Sequence, residues 1–377
     1  MIAILADDLT SALDGAAPFA DRGLRARVVF DSRSLVDLDT DVLSVDLDSR
    51  FAAADVAEQR FRSAAAALAP AALLYKTMDS TLRGNLCAET RGTIAGSGRP
   101  RALVAPAFPA AGRTTRAGRQ FVHGVPLVET EYARDALNPV SSSLVADHFA
   151  DLEASALRIC DADDDRELDA LVLQTGLEAD LIWIGSPGLA AALARAVPVR
   201  ARSDLSAAAW PAVRRVLIVV GSRHPANTPQ VDALRSAGAV VLPAPFPASS
   251  PEPFARAVVG AFEEADVVCL LAPVDGVEAQ GCTSAELAGW LGRVVSLSAS
   301  GFEGLVVTGG DTARRVTDAL GAQSMDLAGE VEAGVPRGVL QTPTRSFAFA
   351  TKAGGFGGPD TLVRCVDALR THGECGA

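Results

Sequence analysis

Aromatic residues are scarce in this chain. They make up 5% of its 377 residues, although hydrophobic residues as a whole reach 49%. The apolar fraction is therefore mostly Ala, Val and Leu, a balance that suits buried parallel strands covered by Ala-rich helices. Basic runs are missing too: the net charge is −12 and the sequence pI is near 4.9. Such a chain repels phosphate backbones at long range, so nucleic acid is not an expected partner. An anionic ligand would have to be held by local groups, such as helix N-termini and a few arginines. The six cysteines, Cys87, Cys160, Cys269, Cys282, Cys365 and Cys375, contain no C-x-x-C pair. Zinc ligation and a redox dithiol thus lose their usual support, and no metal ligands are assigned. Reduced, mostly buried thiols are expected instead. Met1 leads directly into strand-like Ile2–Ala6 and then Asp7-Asp8, without a basic n-region, and no apolar run approaches a membrane span. No signal peptide, no membrane partner and a cytoplasmic location are therefore expected.

The length suits two domains. Short apolar runs alternate with amphipathic stretches: strands at Ile2–Ala6, Ala26–Phe30, Val42–Val45, Leu73–Lys76 and Ala102–Pro106, with helices at Ser11–Arg22 and Val56–Leu68. Pro18 is expected to kink the first helix and Gly23 to close it. Leu181–Gly185 and the helix-like Gly188–Ala196 end the first half. The βαβ pattern breaks from Pro198 to Ala212 and restarts at Val216–Val220. The expected fold is α/β, in two domains, each a largely parallel sheet flanked by helices. The domains are read as residues 1–197 and 213–377, with a linker at 198–212.

Four stretches of the first half carry chemistry. Ala6-Asp7-Asp8-Leu9-Thr10 ends the first strand, where α/β sheets bind ligands. Adjacent carboxylates there can orient a hydroxyl or take its proton; Asp8 and Thr10 also suit the cap of the next helix. Lys76 to Asn85 puts Lys, Asp79, Ser80, Thr81 and Arg83 in one short loop. Hydroxyls and Asp79 match a polyol, and Arg83 can fork a carboxylate; an ordinary polar loop is the alternative. Arg50, after the third strand, points to the same sheet edge. Pro106 to Leu127 is rich in turn formers and arginines and reads as a shaped loop or β-excursion, with His123 structural.

In the second half, Leu305–Thr308 runs into Gly309-Gly310-Asp311-Thr312 and directly into a helix. Missing Cβ atoms let the backbone approach a phosphate, with free helix-start N–H groups facing it; Asp311 or Thr312 as a plain helix cap is the alternative. The G-x-x-x-x-G-K-[ST] spacing is absent. Gly221-Ser222, before cap-like Thr228-Pro229, and the turn Gly354, Gly355, Gly357 after Lys352 repeat the pattern. Three glycine-bearing strand ends at one sheet edge would suit a nucleotide.

In order along nearly the whole chain, these motifs resemble the four-carbon acid sugar kinase family. The matching segments are Ala6–Ala12, Lys76–Gly84, Pro106–Thr115, Thr308–Thr312 and Lys352–Gly357. Ser11 departs from a common glycine, and the chain is short for the family near the linker and around Cys269–Trp290. The resemblance implies ATP-dependent phosphorylation of a hydroxyl, expected to be terminal, on threonate, erythronate or 3-oxo-tetronate. It implies that Asp7, Asp8, Arg50, Asp79, Ser80, Thr81 and Arg83 meet the sugar acid, with Asp8 or Asp79 as base. Ser222, Gly309, Gly310, Asp311, Thr312, Gly354, Gly355 and Gly357 would meet ATP, and Mg²⁺ would ride on its phosphates with few protein ligands. A homo-oligomer is allowed. Without the resemblance, a dehydrogenase, an aldolase-like sugar enzyme or a non-catalytic sugar-acid binder stays open; the first lacks a G-x-G-x-x-G after strand one.

Overall fold

Strands built of Val, Leu, Ile and Ala without polar alternation must be covered on both faces. In a computed structural model, helices cover them. The structure describes residues 1–30, 40–135, 138–198, 210–247, 249–273 and 282–371, and of Ala154 the backbone alone. The chain divides into two compact units, Met1–Asp204 and Leu205–Ala377. Most of the 198–212 stretch and Cys375 lie outside the described residues.

The first unit opens with β1 (Ile2–Ala6), α1 (Leu9–Asp21), β2 (Ala26–Val29), β3 (Val42–Asp46) and α2 (Ala54–Ala67). It continues with β4 (Leu73–Thr77), α3 (Leu86–Ser97) and β5 (Arg101–Ala105). An antiparallel excursion follows, β6 (Arg113–Arg116), β7 (Arg119–Val122) and β8 (Val125–Pro126). β9 (Leu157–Ile159), α4 (Asp165–Thr175), β10 (Leu181–Gly185) and α5 (Pro187–Ala196) complete it. The main strands are parallel, in the order β2-β3-β1-β4-β10-β5-β9. β1 is thus flanked by β3 on one side and β4 on the other, with Ala6 opposite Asp46 and Leu5 opposite Lys76. Loops leaving three neighbouring strands in one direction meet at a topological switch point.

Pro18 lies inside α1, and Gly23 closes the helix by donating to the Ala20 carbonyl at 2.8 Å. α3 and α4 were not among the expected helices. α3 hides in the sequence because Gly92 and Gly96 weaken its pattern. Their role is close approach to α2: a Cβ at Gly96 would lie 2.1 Å from the Arg62 carbonyl oxygen, and one at Gly92 2.3 Å from that of Glu58.

The second unit contains β11 (Val216–Val220), α6 (Asn227–Ser236), β12 (Val240–Pro243), α7 (Pro251–Ala261), β13 (Val267–Leu271) and α8 (Ser284–Ser298). Then come β14 (Gly304–Thr308), α9 (Gly310–Ala319), β15 (Ser324–Glu330), β16 (Pro336–Gln341), β17 (Ser346–Lys352) and α10 (Thr361–Arg370). The strand order is β12-β13-β11-β14-β17-β16-β15. The first five are parallel, while β16 and β15 run antiparallel and make the sheet mixed. Val220, Thr308 and Lys352 stand in register, so β11, β14 and β17 end side by side. Two expected helix starts shift. α6 begins at Asn227, which puts Thr228-Pro229 inside its first turn, and α9 is capped by Gly309, which puts Asp311 and Thr312 inside its first turn. Among the described residues, no helix is long and apolar enough to cross a membrane.

Candidate functional site

In the first unit, β1 delivers Asp7, whose side chain is fully buried, and then Asp8, which caps α1 by accepting the Ser11 N–H at 2.7 Å. The loop after β3 lays Arg50 across both. Its Nε and Nη2 reach the Asp7 carboxylate at 2.7 and 3.1 Å, its Nη1 pairs with Asp8, and Nη2 also donates to Ser11 Oγ at 2.8 Å. All three guanidinium nitrogens are therefore engaged within the protein. Gly84 closes the other side: its φ is +97°, and a Cβ there would sit 3.3 Å from Asp7 Oδ2. Burial raises the Asp8 carboxyl above its ordinary value; Arg50 opposes that rise and the Asp7 charge adds to it.

A buried scaffold holds the Arg50 loop. Ser49 N–H donates to the Asp7 carbonyl at 2.8 Å, and Asn85 Nδ2 donates to the Ser49 and Ala52 carbonyls, each at 2.9 Å. Ser49 Oγ donates to Glu89 Oε1 at 2.7 Å, and Glu89 pairs with Lys76 at 2.9 Å, both side chains fully buried. Lys76 thus belongs to β4, as expected of the strand at Leu73–Lys76, and its side chain serves this scaffold, not the polar loop with which the sequence also groups it. Glu89 escaped sequence reading because its partner is on a strand and its helix is disguised by glycine.

The loop after β4 forms a second charged cluster. Arg83 Nε donates to Asp79 Oδ2 at 2.6 Å and to Thr81 Oγ1 at 3.0 Å; Thr81 Oγ1 donates to the same Asp79 oxygen at 2.6 Å. Arg83 Nη1 reaches Asp135 at 3.3 Å, and its guanidinium lies 5.4 Å from the Tyr132 ring centroid. Among the described residues, Arg83 Nη2 makes no hydrogen bond. Burial alone would raise the Asp79 carboxyl, but Arg83 and Arg50 together hold it well below the usual carboxylate range. Asp79 in turn holds Arg83 above its ordinary value. The β6–β8 excursion braces this loop through Gln120, a fully buried residue of β7 that sequence reading missed. Gln120 Nε2 donates to the Ser80 carbonyl at 2.7 Å, and Gln120 Oε1 accepts from Thr115 Oγ1 at 2.7 Å.

In the second unit, the three glycine-bearing strand ends meet around Ser222. A Cβ on Gly309 would lie 3.3 Å from Ser222 Cβ, and one on Gly354 would lie 2.0 Å from Ser222 Oγ. Gly309 takes a φ of +94° as it caps α9, which leaves Gly310, Asp311 and Thr312 in the first turn. Gly355 faces the His224 ring, where a Cβ would lie 3.2 Å from Nε2, while Gly357 turns the chain with φ +88°. Backbone N–H groups at a helix start and around glycine turns make an anion cradle.

Residues 2–157 match the family of sugar-binding N-terminal domains, and residues 217–362 match that of nucleotide-binding C-terminal domains. The D-threonate kinase of Bordetella bronchiseptica is 35% identical over 98% of this chain and 97% of its own. The chain belongs to the four-carbon acid sugar kinase family. Within this kinase family, the 3-oxo-tetronate kinase of Methylobacterium radiotolerans is 31% identical over 97% of this chain and 98% of its own. A solved structure from Salmonella typhimurium LT2 shares the fold, with a TM-score of 0.80 at 22% identity over 96% of this chain and 98% of that one. The two-domain α/β architecture of the family and its kinase character thus extend over the whole chain.

Proposed function

We propose that the chain transfers the γ-phosphoryl group of ATP to a hydroxyl of a four-carbon acid sugar such as threonate, erythronate or 3-oxo-tetronate. The observation that carries this reading is the closing of Gly309 and Gly354 onto Ser222. The other unit of the same chain ends three adjacent strands in Asp7-Asp8, Arg50 and the Asp79–Arg83 loop.

The sugar acid is held in the first unit. Of the two arginines at these strand ends, Arg83 has a nitrogen with no hydrogen bond among the described residues, so it takes the substrate carboxylate, steadied by Asp79, Asp135 and Tyr132. Arg50 is engaged at all three nitrogens by Asp7, Asp8 and Ser11, and its part is to orient those carboxylates. Asp79, Ser80 and Thr81 face the hydroxyls. Of the two candidate bases, Asp8 is favoured: burial makes its carboxylate readier to accept a proton, whereas Asp79 is held ionised by two arginines.

The nucleotide is held in the second unit by Ser222, by the N–H groups of the Gly309–Thr312 turn, and by the turn of Gly354, Gly355 and Gly357. Among the described residues, no group of three His, Cys, Asp or Glu could hold a metal. Mg²⁺ would ride on phosphate oxygens and water, and Asp311, in the first turn of α9, would be the carboxylate to accept from its hydration shell. Mg²⁺ bound in this way supplies charge neutralisation on the phosphates. The substrate oxygen attacks the γ-phosphorus, the bond to the β-phosphate oxygen breaks, ADP leaves, and the hydroxyl proton passes to Asp8. Transfer through a loose transition state depends mainly on this positioning.

The test is ADP release measured against D-threonate, D-erythronate, 3-oxo-tetronate and the uncharged polyols threitol and erythritol. Release that requires an acid supports the reading. Release with no acid in the panel, or equal release with a polyol, overturns it.

A further inference from the structure

We infer that Lys352 is a buried, uncompensated cation that strengthens nucleotide binding from beneath the glycine turn, held in place by Asn227. This rests on the nucleotide-site reading above. Lys352 ends β17, and its side chain is fully buried. Its Nζ donates to Asn227 Oδ1 at 2.9 Å, and more distantly to the carbonyls of Gly354 at 3.3 Å and Ala353 at 3.4 Å. Asn227, itself buried at the start of α6, uses its Nδ2 to donate to the Ser222 carbonyl at 3.0 Å. One lysine–asparagine pair therefore ties the Ser222 loop to the Gly354 turn, two segments in close approach at the proposed phosphate site.

The charge is what needs explaining. Among the described residues, no carboxylate pairs with Lys352, in contrast to Lys76, which is equally buried but has Glu89. Burial draws the Lys352 ammonium down to about 8, with the nearby Cys365 opposing the shift. A residue serving only to fill the space would be apolar, because a buried charge without a counter-ion opposes folding. An anionic ligand on the turn above supplies the missing counter-charge, at a site where low dielectric strengthens the attraction. Gln230, one helical turn after Asn227, steadies the rest of the turn by donating to the Phe356 carbonyl at 3.1 Å.

The experiment is calorimetric titration of ADP into wild type, Lys352→Met, Asn227→Asp and Gly354→Ala, with a melting temperature for each. Lys352→Met keeps the Asn227–Ser222 tie and removes the charge. It is expected to weaken ADP binding by about tenfold to a hundredfold, the size of losing one charged contact, while the melting temperature holds or rises. Asn227→Asp supplies the counter-ion internally, with loss of the Nδ2 bond to the Ser222 carbonyl, and is expected to weaken ADP binding. A purely structural lysine predicts the reverse: a lower melting temperature for Lys352→Met with ADP affinity unchanged. That result overturns the inference, and if Lys352→Met fails to fold, unchanged ADP affinity in Asn227→Asp overturns it instead. Should Gly354→Ala weaken ADP while both of these leave it unchanged, this inference alone falls. Should Gly354→Ala leave it unchanged too, the nucleotide-site reading falls with it.

Discussion

Gly354→Ala perturbs the proposed nucleotide site by a single carbon. The added Cβ would lie 2.0 Å from Ser222 Oγ and 2.7 Å from Ser222 Cβ. The hydroxyl can rotate away, but the Cβ moves only with its backbone, so either the Ser222 loop or the glycine turn must shift. Overpacking of this kind costs about 1–3 kcal/mol. If the strain is released by moving the turn proposed to receive the phosphates, ADP affinity falls by roughly 5- to 150-fold, at about 1.36 kcal/mol per factor of ten. Gly358→Ala is the control, since a Cβ there meets nothing within 4 Å. Titration of ADP should separate the two variants, and affinity for the best four-carbon acid should be the same in both. A folded Gly354→Ala protein with wild-type ADP affinity, or one whose acid affinity drops as far as its ADP affinity, would refute the placement of the nucleotide.

Three further outcomes follow from the first unit. Arg83→Ala removes the cation between Asp79 and Asp135, and truncating one partner of such a pair costs about 2–5 kcal/mol. kcat/KM for the acid should fall by at least an order of magnitude with ADP affinity intact, and steady-state kinetics with each substrate varied checks this. Asp8→Asn should lower turnover by about 10²–10⁴-fold; Asn keeps the cap on α1 but loses the pair with Arg50, so a modest fall in melting temperature accompanies it. The raised Asp8 carboxyl must be deprotonated to act, so wild-type activity should fall, as pH drops, through a value above the ordinary carboxylate near 3.9; the pH–rate profile of Asp8→Asn should lack that limb. Lys76→Met strands the buried Glu89 and should destabilise the protein by about 3–5 kcal/mol in urea titrations, with Glu89→Leu recovering most of the loss.

The parts of the candidate site legible in the sequence were those where chemistry and backbone coincide. Asp7-Asp8 and the Asp79–Arg83 loop follow apolar strands directly, and glycines mark Gly309 and Gly354 as places of close approach. Adjacency of β3, β1 and β4 could not be read from any one segment, and it is what sets Arg50 on Asp7. The supporting residues were hidden for a common reason. Glu89, Gln120 and Asn227 each pair with a residue distant in the chain, and alone each looks like an ordinary polar side chain; Lys352 was visible as the start of the glycine turn, but its distant partner Asn227 was not. β15 and β16 were missed because their sequences, SMDLAGE and PRGVLQ, mix charge and glycine with few β-branched residues. Family resemblance narrowed the chemistry from sugar-acid enzymes in general to phosphoryl transfer; the residues alone left a dehydrogenase, an aldolase-like enzyme and a plain binder open.

Phosphorus NMR of the protein incubated with ATP, Mg²⁺ and a four-carbon acid tests the central claim most directly. The expected spectrum shows one new phosphomonoester resonance growing in step with ADP, coupled to protons of the acid and absent when the matching polyol is supplied. ATP left intact across the whole acid panel, or ADP accompanied by inorganic phosphate in place of a phosphomonoester, would contradict it.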